Sequence, residues 1–144
     1  MTSVEKLLNT KGSETWSIAP QATVYEALQK MSDKDVGAVL VIDEGTLVGI
    51  FTERDYARKL ILRGKLSRNT AVSEMMTQDV LYVEPQNSIS DCMVLMTNKR
   101  VRHLPVLDAG QLVGIVTIGD AVKQIISEQE STIDQLEKYI AGGY

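Results

Sequence analysis

Cysteine is nearly absent: Cys92 is the one thiol in 144 residues, so no internal disulfide can form and the chain suits a reducing compartment. Aromatic residues are scarce at 5%, which points to an aliphatic interior built from Val, Ile, Leu and Met. Long apolar runs are missing too. The longest, residues 36–42, falls far short of a bilayer span, and the opening Met-Thr-Ser-Val-Glu-Lys-Leu-Leu carries no apolar signal core. The expectation is a soluble, cytoplasmic protein with no membrane partner. Basic residues do not dominate either: 15 Lys and Arg against 19 Asp and Glu give a formal charge of −4, which argues against nucleic acid as a partner. No Gly-x-x-x-x-Gly-Lys-Ser/Thr loop, no Gly-x-Gly-x-x-Gly and no zinc-ligand spacing occurs, and the single His and single Cys lack an orienting third group. No turnover, catalytic residue or metal is expected.

What the chain has is a repeat. Residues 17–58 align without a gap onto 82–123, a shift of 65, with 14 identities in 42 pairs. These include Pro20/Pro85, Met31/Met96, Asp43/Asp108, Gly45/Gly110, Leu47/Leu112, Gly49/Gly114, Thr52/Thr117 and Asp55/Asp120. By length the chain is one domain, and each half is too small to be expected to stand alone, so the halves should share a core. A tandem repeat with pseudo-two-fold symmetry creates clefts between its halves, where a duplicated Thr-x-x-Asp can furnish two related sites.

The fold class read from the pattern is α+β, each half running β-α-β-β-α, with helices flanking at both ends. Residues 15–18 form a short strand closed by Pro20, and Thr23-Val24-Tyr25-Glu26 reads as a capping box opening a helix; Ser88-Ile89-Ser90-Asp91 repeats it. Residues 38–42 and 47–51 form a hairpin around Asp43-Glu44-Gly45-Thr46, and residues 104–107 and 112–116 form one around Asp108-Ala109-Gly110-Gln111. Both hairpins enter a helix at threonine. Residues 58–77 read as a linker, and the last helix is expected from near Ile118 to about Ile140. The organisation expected is an N-terminal helix at 1–14, one motif at 15–66, a second at 67–127 and a helical extension at 128–144. Two placements are open for that extension: against the helix around Val4 and Leu8, or against a second subunit. Cys92, opposite Ala27 in the repeat, reads as a buried small side chain, with a redox or intermolecular thiol as the other reading.

Gly-Ile-Phe-Thr-x-x-Asp and its echo Gly-Ile-Val-Thr-x-x-Asp resemble the signature of cystathionine β-synthase-type (CBS) domains. Thr-Val-Tyr-Glu-Ala-Leu-Gln-Lys-Met, Gly-Ala-Val-Leu-Val-Ile-Asp and Val-Arg-His-Leu-Pro-Val-Leu-Asp stand in the family's order, over about residues 15–124. Thr-Glu-Arg-Asp-Tyr-Ala-Arg-Lys-Leu-Ile and the ending Tyr-Ile-Ala-Gly-Gly-Tyr are similar to stand-alone CBS-pair proteins of bacteria and plant organelles. The resemblance implies tandem CBS motifs acting as a regulator, with an adenosine-containing ligand (AMP, ADP, ATP, NAD or S-adenosylmethionine) between the repeats. It also implies a homodimer that signals to a regulated protein.

Chemistry supports such a use. Asp55 and Asp120 can each accept from both cis hydroxyls of a ribose, and Thr52 and Thr117 can donate to phosphate at a helix start whose free amides attract anions. The same Thr-x-x-Asp is a helix-capping pattern worth about 1 kcal/mol, which either copy alone would favour; two copies in register favour the ligand. Between Thr and Asp stand Glu53-Arg54 in one copy and Ile118-Gly119 in the other, so unequal affinities are expected. Arg54, Arg58, Arg102 and His103 are the phosphate candidates. The family places adenine against the first strand and the start of the central strand, here Ser17 and Ile18 with Gly37 and Ala38, and Leu81 and Tyr82 with His103 and Leu104. Trp16 and Tyr82 can stack on a base or pack in the core. The alternative function is a dimeric interaction scaffold with empty or vestigial sites.

Overall fold

The computed structural model describes residues 2–141. In chain order it contains α1 (Val4–Lys11), β1 (Ser17–Ile18), α2 (Val24–Lys34), β2 (Ala38–Asp43), β3 (Thr46–Thr52), α3 (Glu53–Asp55), α4 (Val72–Met75), α5 (Ile89–Lys99), β4 (His103–Asp108), β5 (Gln111–Thr117) and α6 (Ile118–Ile140). It is an α+β chain of two compact units: Glu14–Leu81 holds the first repeat, and Met1–Ser13 with Tyr82–Tyr144 holds the second.

In the first-repeat unit the sheet order is β1-β2-β3, with β1 parallel and β3 antiparallel to β2. The hairpin turns at Glu44 and Gly45, whose φ angles of 49° and 80° are both positive, as a two-residue type I′ connection requires. Val41 lies opposite Gly49 but Ile42 opposite Leu47, so Val48 is the extra residue of a β-bulge. The second hairpin copies both devices, with Ala109 and Gly110 at 50° and 81° and the register shift between Val106 and Leu107. In α2, Thr23 caps by accepting from the Glu26 amide (3.1 Å), and the three-and-four spacing of Val24, Ala27 and Met31 buries them against Val39, Val41, Phe51 and Leu60. The chain after α3 continues through a π-helical turn, Tyr56–Ile61, that puts Leu60 in this core while Ile61 stays 54% exposed.

The repeats part company at their first strands. Leu40 donates its amide to the Trp16 carbonyl at 2.9 Å, but the position matching Leu40 is Pro105, which has no N–H to give. The expected strand around Leu81 and Tyr82 therefore shrinks to a single parallel bridge between Val83 and Val106, and Tyr82 is 51% exposed rather than packed. Trp16 packs on the core of its unit, with the Lys34 ammonium 4.6 Å from its ring centroid.

Residues 70–77, read from the sequence as linker, are built into the first-repeat unit. Val24 donates to the Thr70 carbonyl and Val72 to that of Ala22, both at 2.8 Å, while Thr77 and Ile50 exchange amide bonds of 2.9 and 3.0 Å. Val72 and Met75 of α4 complete the core. The segment opening the chain does the same for the second-repeat unit: Ile89 donates to the Thr2 carbonyl (3.0 Å), Val4 donates to that of Asn87 (2.8 Å), and Val4, Leu7 and Leu8 of α1 are buried. Thr2-Ser3-Val4 and Thr70-Ala71-Val72 thus dock in the same way. This close docking explains the glycine of each Leu-Val-Gly-Ile strand: a Cβ on Gly49 would lie 2.5 Å from Met76 Sδ, and one on Gly114 would lie 2.8 Å from the Leu8 methyls. At its far end α6 runs from Ile118 to Ile140, and its residues from Gln129 onward are exposed.

Candidate ligand-binding site

Each hairpin delivers its threonine to a helix start beside the first residue of the central strand. In the first copy Ala38 lies opposite Thr52, and the Gly37 carbonyl accepts from the Glu53 amide at 3.1 Å. Thr52 Oγ1 accepts from the Asp55 amide (3.1 Å), while Asp55 Oδ2 accepts from the Thr52 amide (3.0 Å) and hydroxyl (3.1 Å). The other oxygen, Oδ1, meets Lys59 Nζ at 3.0 Å and accepts from Thr77 Oγ1 at 3.3 Å. Asp55 is buried, 8% exposed, and both its oxygens are engaged.

The second copy repeats the frame with a different clamp. His103 lies opposite Thr117, the Arg102 carbonyl accepts from the Ile118 amide (2.9 Å), and Thr117 and Asp120 exchange bonds of 3.0 and 3.1 Å. Here Lys11, from α1, reaches Asp120 Oδ2 at 2.6 Å. Burial pushes the Asp120 pKa up, but the hydrogen bond from Lys11 and those from Thr117 outweigh it and leave the acid below its ordinary value. It is an ionised acceptor at neutral pH.

The capping pattern is therefore realised in both copies, and in both the carboxylate is partnered by a lysine. Of the residues expected at the site, Gly37, Ala38, Thr52 and Asp55 come together in one unit, and Arg102, His103, Thr117 and Asp120 in the other. Ser17 and Ile18 flank Leu40 and Val41 on β2, and the Ser17 carbonyl accepts from Lys30 Nζ at 2.5 Å. Ala38 and Leu104 are buried, so they offer a ligand backbone rather than side chain. Leu81 is half-buried and Tyr82 exposed; Arg54, Arg58 and Arg102 are exposed and His103 half-buried. Lys59, Thr77 and Lys11 were not expected. Lys59 carries a sequence signal, sitting four residues after Asp55 on the same helical stretch, whereas Lys11 lies 109 positions from its partner.

A family model for the CBS domain matches residues 13–62 and again 72–127. The chain belongs to the CBS domain family. Among curated relatives it is 39% identical over 138 residues to the CBS domain-containing protein CBSX3, mitochondrial, of Arabidopsis thaliana, covering 92% of this chain and 66% of that one. It is 36% identical over 129 residues to the CBS domain-containing protein YhcV of Bacillus subtilis, covering 89% of each. A solved protein with CBS domains from Burkholderia ambifaria MC40-6 superposes with a TM-score of 0.86 at 46% identity, covering 89% of this chain and 96% of its own. The CBS fold thus accounts for both repeats. No helix among the described residues is long and apolar enough to cross a membrane.

Proposed function

We propose that this CBS-domain protein is a regulator that binds an adenosine-containing ligand (AMP, ADP, ATP, NAD or S-adenosylmethionine) at its Thr-x-x-Asp turns and passes the ligand state to a partner protein. It works without turnover, as a homodimer in a reducing compartment such as the cytoplasm. The observation that carries this reading is the duplicated turn, which in each unit sets a threonine hydroxyl at a helix start, an aspartate and a lysine side by side. A ribose diol competes for the carboxylate, and the displaced ammonium is then in place for phosphate. The ligand shifts conformation only by as much as its affinity differs between two arrangements. A CBS domain pair of the same fold, 23% identical, was solved with 5′-methylthioadenosine and S-adenosylmethionine, and the Burkholderia protein is described as a candidate for signal transduction. Melting curves test the reading: ligand at 100 times its dissociation constant adds about 2.7 kcal/mol of stability. The second reading, a dimeric scaffold with vestigial sites, is favoured by the clamps themselves, since Lys59 and Lys11 already neutralise both acids. Unmoved melting curves with every ligand named would select it.

A further inference from the structure

Positive charge in this chain is gathered on one turn that also carries uncovered aliphatic side chains. Residues 54–68 hold six Lys and Arg against the single acid Asp55, a net of +5, while the whole chain stands at −4 and the remainder therefore at −9. Every residue from Ile61 to Leu66 is exposed, with Ile61, Leu62 and Leu66 at 54%, 78% and 66%. The turn is nonetheless ordered. The carbonyl of buried Leu60 accepts from the Lys65 amide and that of Ile61 from the Gly64 amide, both at 3.1 Å, and the Leu66 carbonyl accepts from Thr70 Oγ1 at 2.8 Å. Beyond it, the Arg68 guanidinium lies 4.0 Å from the centroid of the Tyr25 ring on α2. Lys59 is engaged by Asp55 and the Met75 carbonyl, but among the described residues Arg58, Arg63 and Lys65 meet no carboxylate. Three exposed aliphatic side chains among unpaired cations mark a contact surface.

We propose that residues 61–68 are the surface through which the chain engages its partner protein, and that they take an acidic amphipathic segment, with aliphatic side chains along one face and carboxylates beside them. The assignment rests on the reading that the chain acts on a partner, and holds whichever ligand it binds. Ile61, Leu62 and Leu66 supply the apolar contact, while Arg63 and Lys65 select carboxylates and steer the encounter. Because backbone bonds already hold the turn, binding has little left to order. Nucleic acid fits poorly, since aliphatic side chains gain nothing on a phosphate backbone. A lipid surface fits poorly too. It is a plane, and α2 and α4, which pack against this stretch, carry the exposed acids Glu26 and Glu74 that anionic headgroups would repel; a peptide segment need touch only the turn. A second copy meeting turn on turn would set cation against cation. Charge and shape together select an acidic protein segment.

The test uses the full chain without nucleotide and two fluorescent helical peptides of about 18 residues, both with leucine along one face, one with glutamate and the other with lysine opposite. In anisotropy titrations the glutamate peptide should bind, and should weaken at least about 10-fold as salt rises from about 50 to about 300 mM. Leu62→Glu, and Arg63→Glu combined with Lys65→Glu, should each weaken it at least about 10-fold while leaving the melting temperature unchanged, since all three positions are exposed. No binding of the glutamate peptide, equal binding of the lysine peptide, or binding unchanged in both variants overturns the surface. So does co-sedimentation with phosphatidylserine vesicles that the same variants lose, which assigns the turn to lipid, or a dimer that they dissociate, which assigns it to a second copy. Calorimetry with adenosine ligands separates the two readings: a chain that binds a ligand but ignores the peptide fails the surface alone.

Discussion

Replacing Gly114 with alanine places a methyl group where Leu8 already sits. The new Cβ would lie 2.8 Å from both Leu8 Cδ1 and Cδ2, far inside van der Waals contact. Leu8 is itself only 8% exposed, so turning its methyls aside presses them on packed neighbours, and shifting α1 instead would uncover Val4 and Leu7, buried at 0% and 5% exposure. Overpacking of this kind costs about 1–3 kcal/mol. Leu8→Ala alone, which empties a buried site, should cost about 2–5 kcal/mol. In the double variant the added methyl enters the space that Leu8 vacates, so the combined loss should fall short of the sum by at least about 1 kcal/mol. Urea unfolding of the four proteins, read at constant m-value, gives the coupling directly. Losses that add to within about 0.5 kcal/mol would refute the claim that α1 docks on β5 through this glycine. At Gly49 the intruding methyl would also meet the Thr77 carbonyl oxygen at 3.0 Å, a backbone atom that cannot rotate away, so Gly49→Ala should cost more than Gly114→Ala.

Three further outcomes are expected. Burial, with the nearby Asp91 charge second, pushes the Cys92 thiol up to about 11, so a thiol reagent at pH 8 should leave the native protein unmodified and label one thiol once it is unfolded. Asp120 has a lowered folded pKa, so its contribution is present above the ordinary carboxylate value of about 4 and is lost as pH falls through the folded value; the urea midpoints of Lys11→Gln and the parent chain should therefore differ at pH 7 and converge at strongly acid pH. Asp55→Ala removes the carboxylate half of the capping box, leaving only the bond from its backbone amide to Thr52, and strands Lys59 and Thr77; it should cost about 2–4 kcal/mol in urea unfolding, against about 1–2 kcal/mol for the more exposed Asp120→Ala.

The elements whose causes are local could be read from the residues alone. Gly45 and Gly110 mark the two hairpin turns, although the positive φ of Glu44 and Ala109 before them is not announced by those residue types; Thr117 opens α6 where expected, and the apolar spacing carries that helix to Ile140. Ser88 and Asp91 form the reciprocal capping box, whereas Thr23 makes only the bond from the Glu26 amide. What stayed hidden depends on pairing between distant segments. Pro105 is plain in the sequence, but its missing amide matters only once its register neighbour is known. The docking segments beginning at Thr2 and Thr70 stand 68 apart, not 65, so they drop out of the repeat register and read as flank and linker. For the same reason Gly49 and Gly114 read as part of a motif, when their local duty is to let Met76 and Leu8 approach. Thr-x-x-Asp was visible twice over; the lysine on each acid was visible only for Lys59, whose spacing is helical.

The central claim is that the two turns hold an adenosine ligand, and calorimetric titration tests it most directly. Asp55→Asn and Asp120→Asn keep a side-chain carbonyl to cap the helix while removing the charged acceptor. Saturable binding of at least one of AMP, ADP, ATP, NAD or S-adenosylmethionine, weakened by one or both substitutions in protein that remains folded, is the predicted result. Absence of binding by all of these ligands, or binding indifferent to both aspartates, would contradict it.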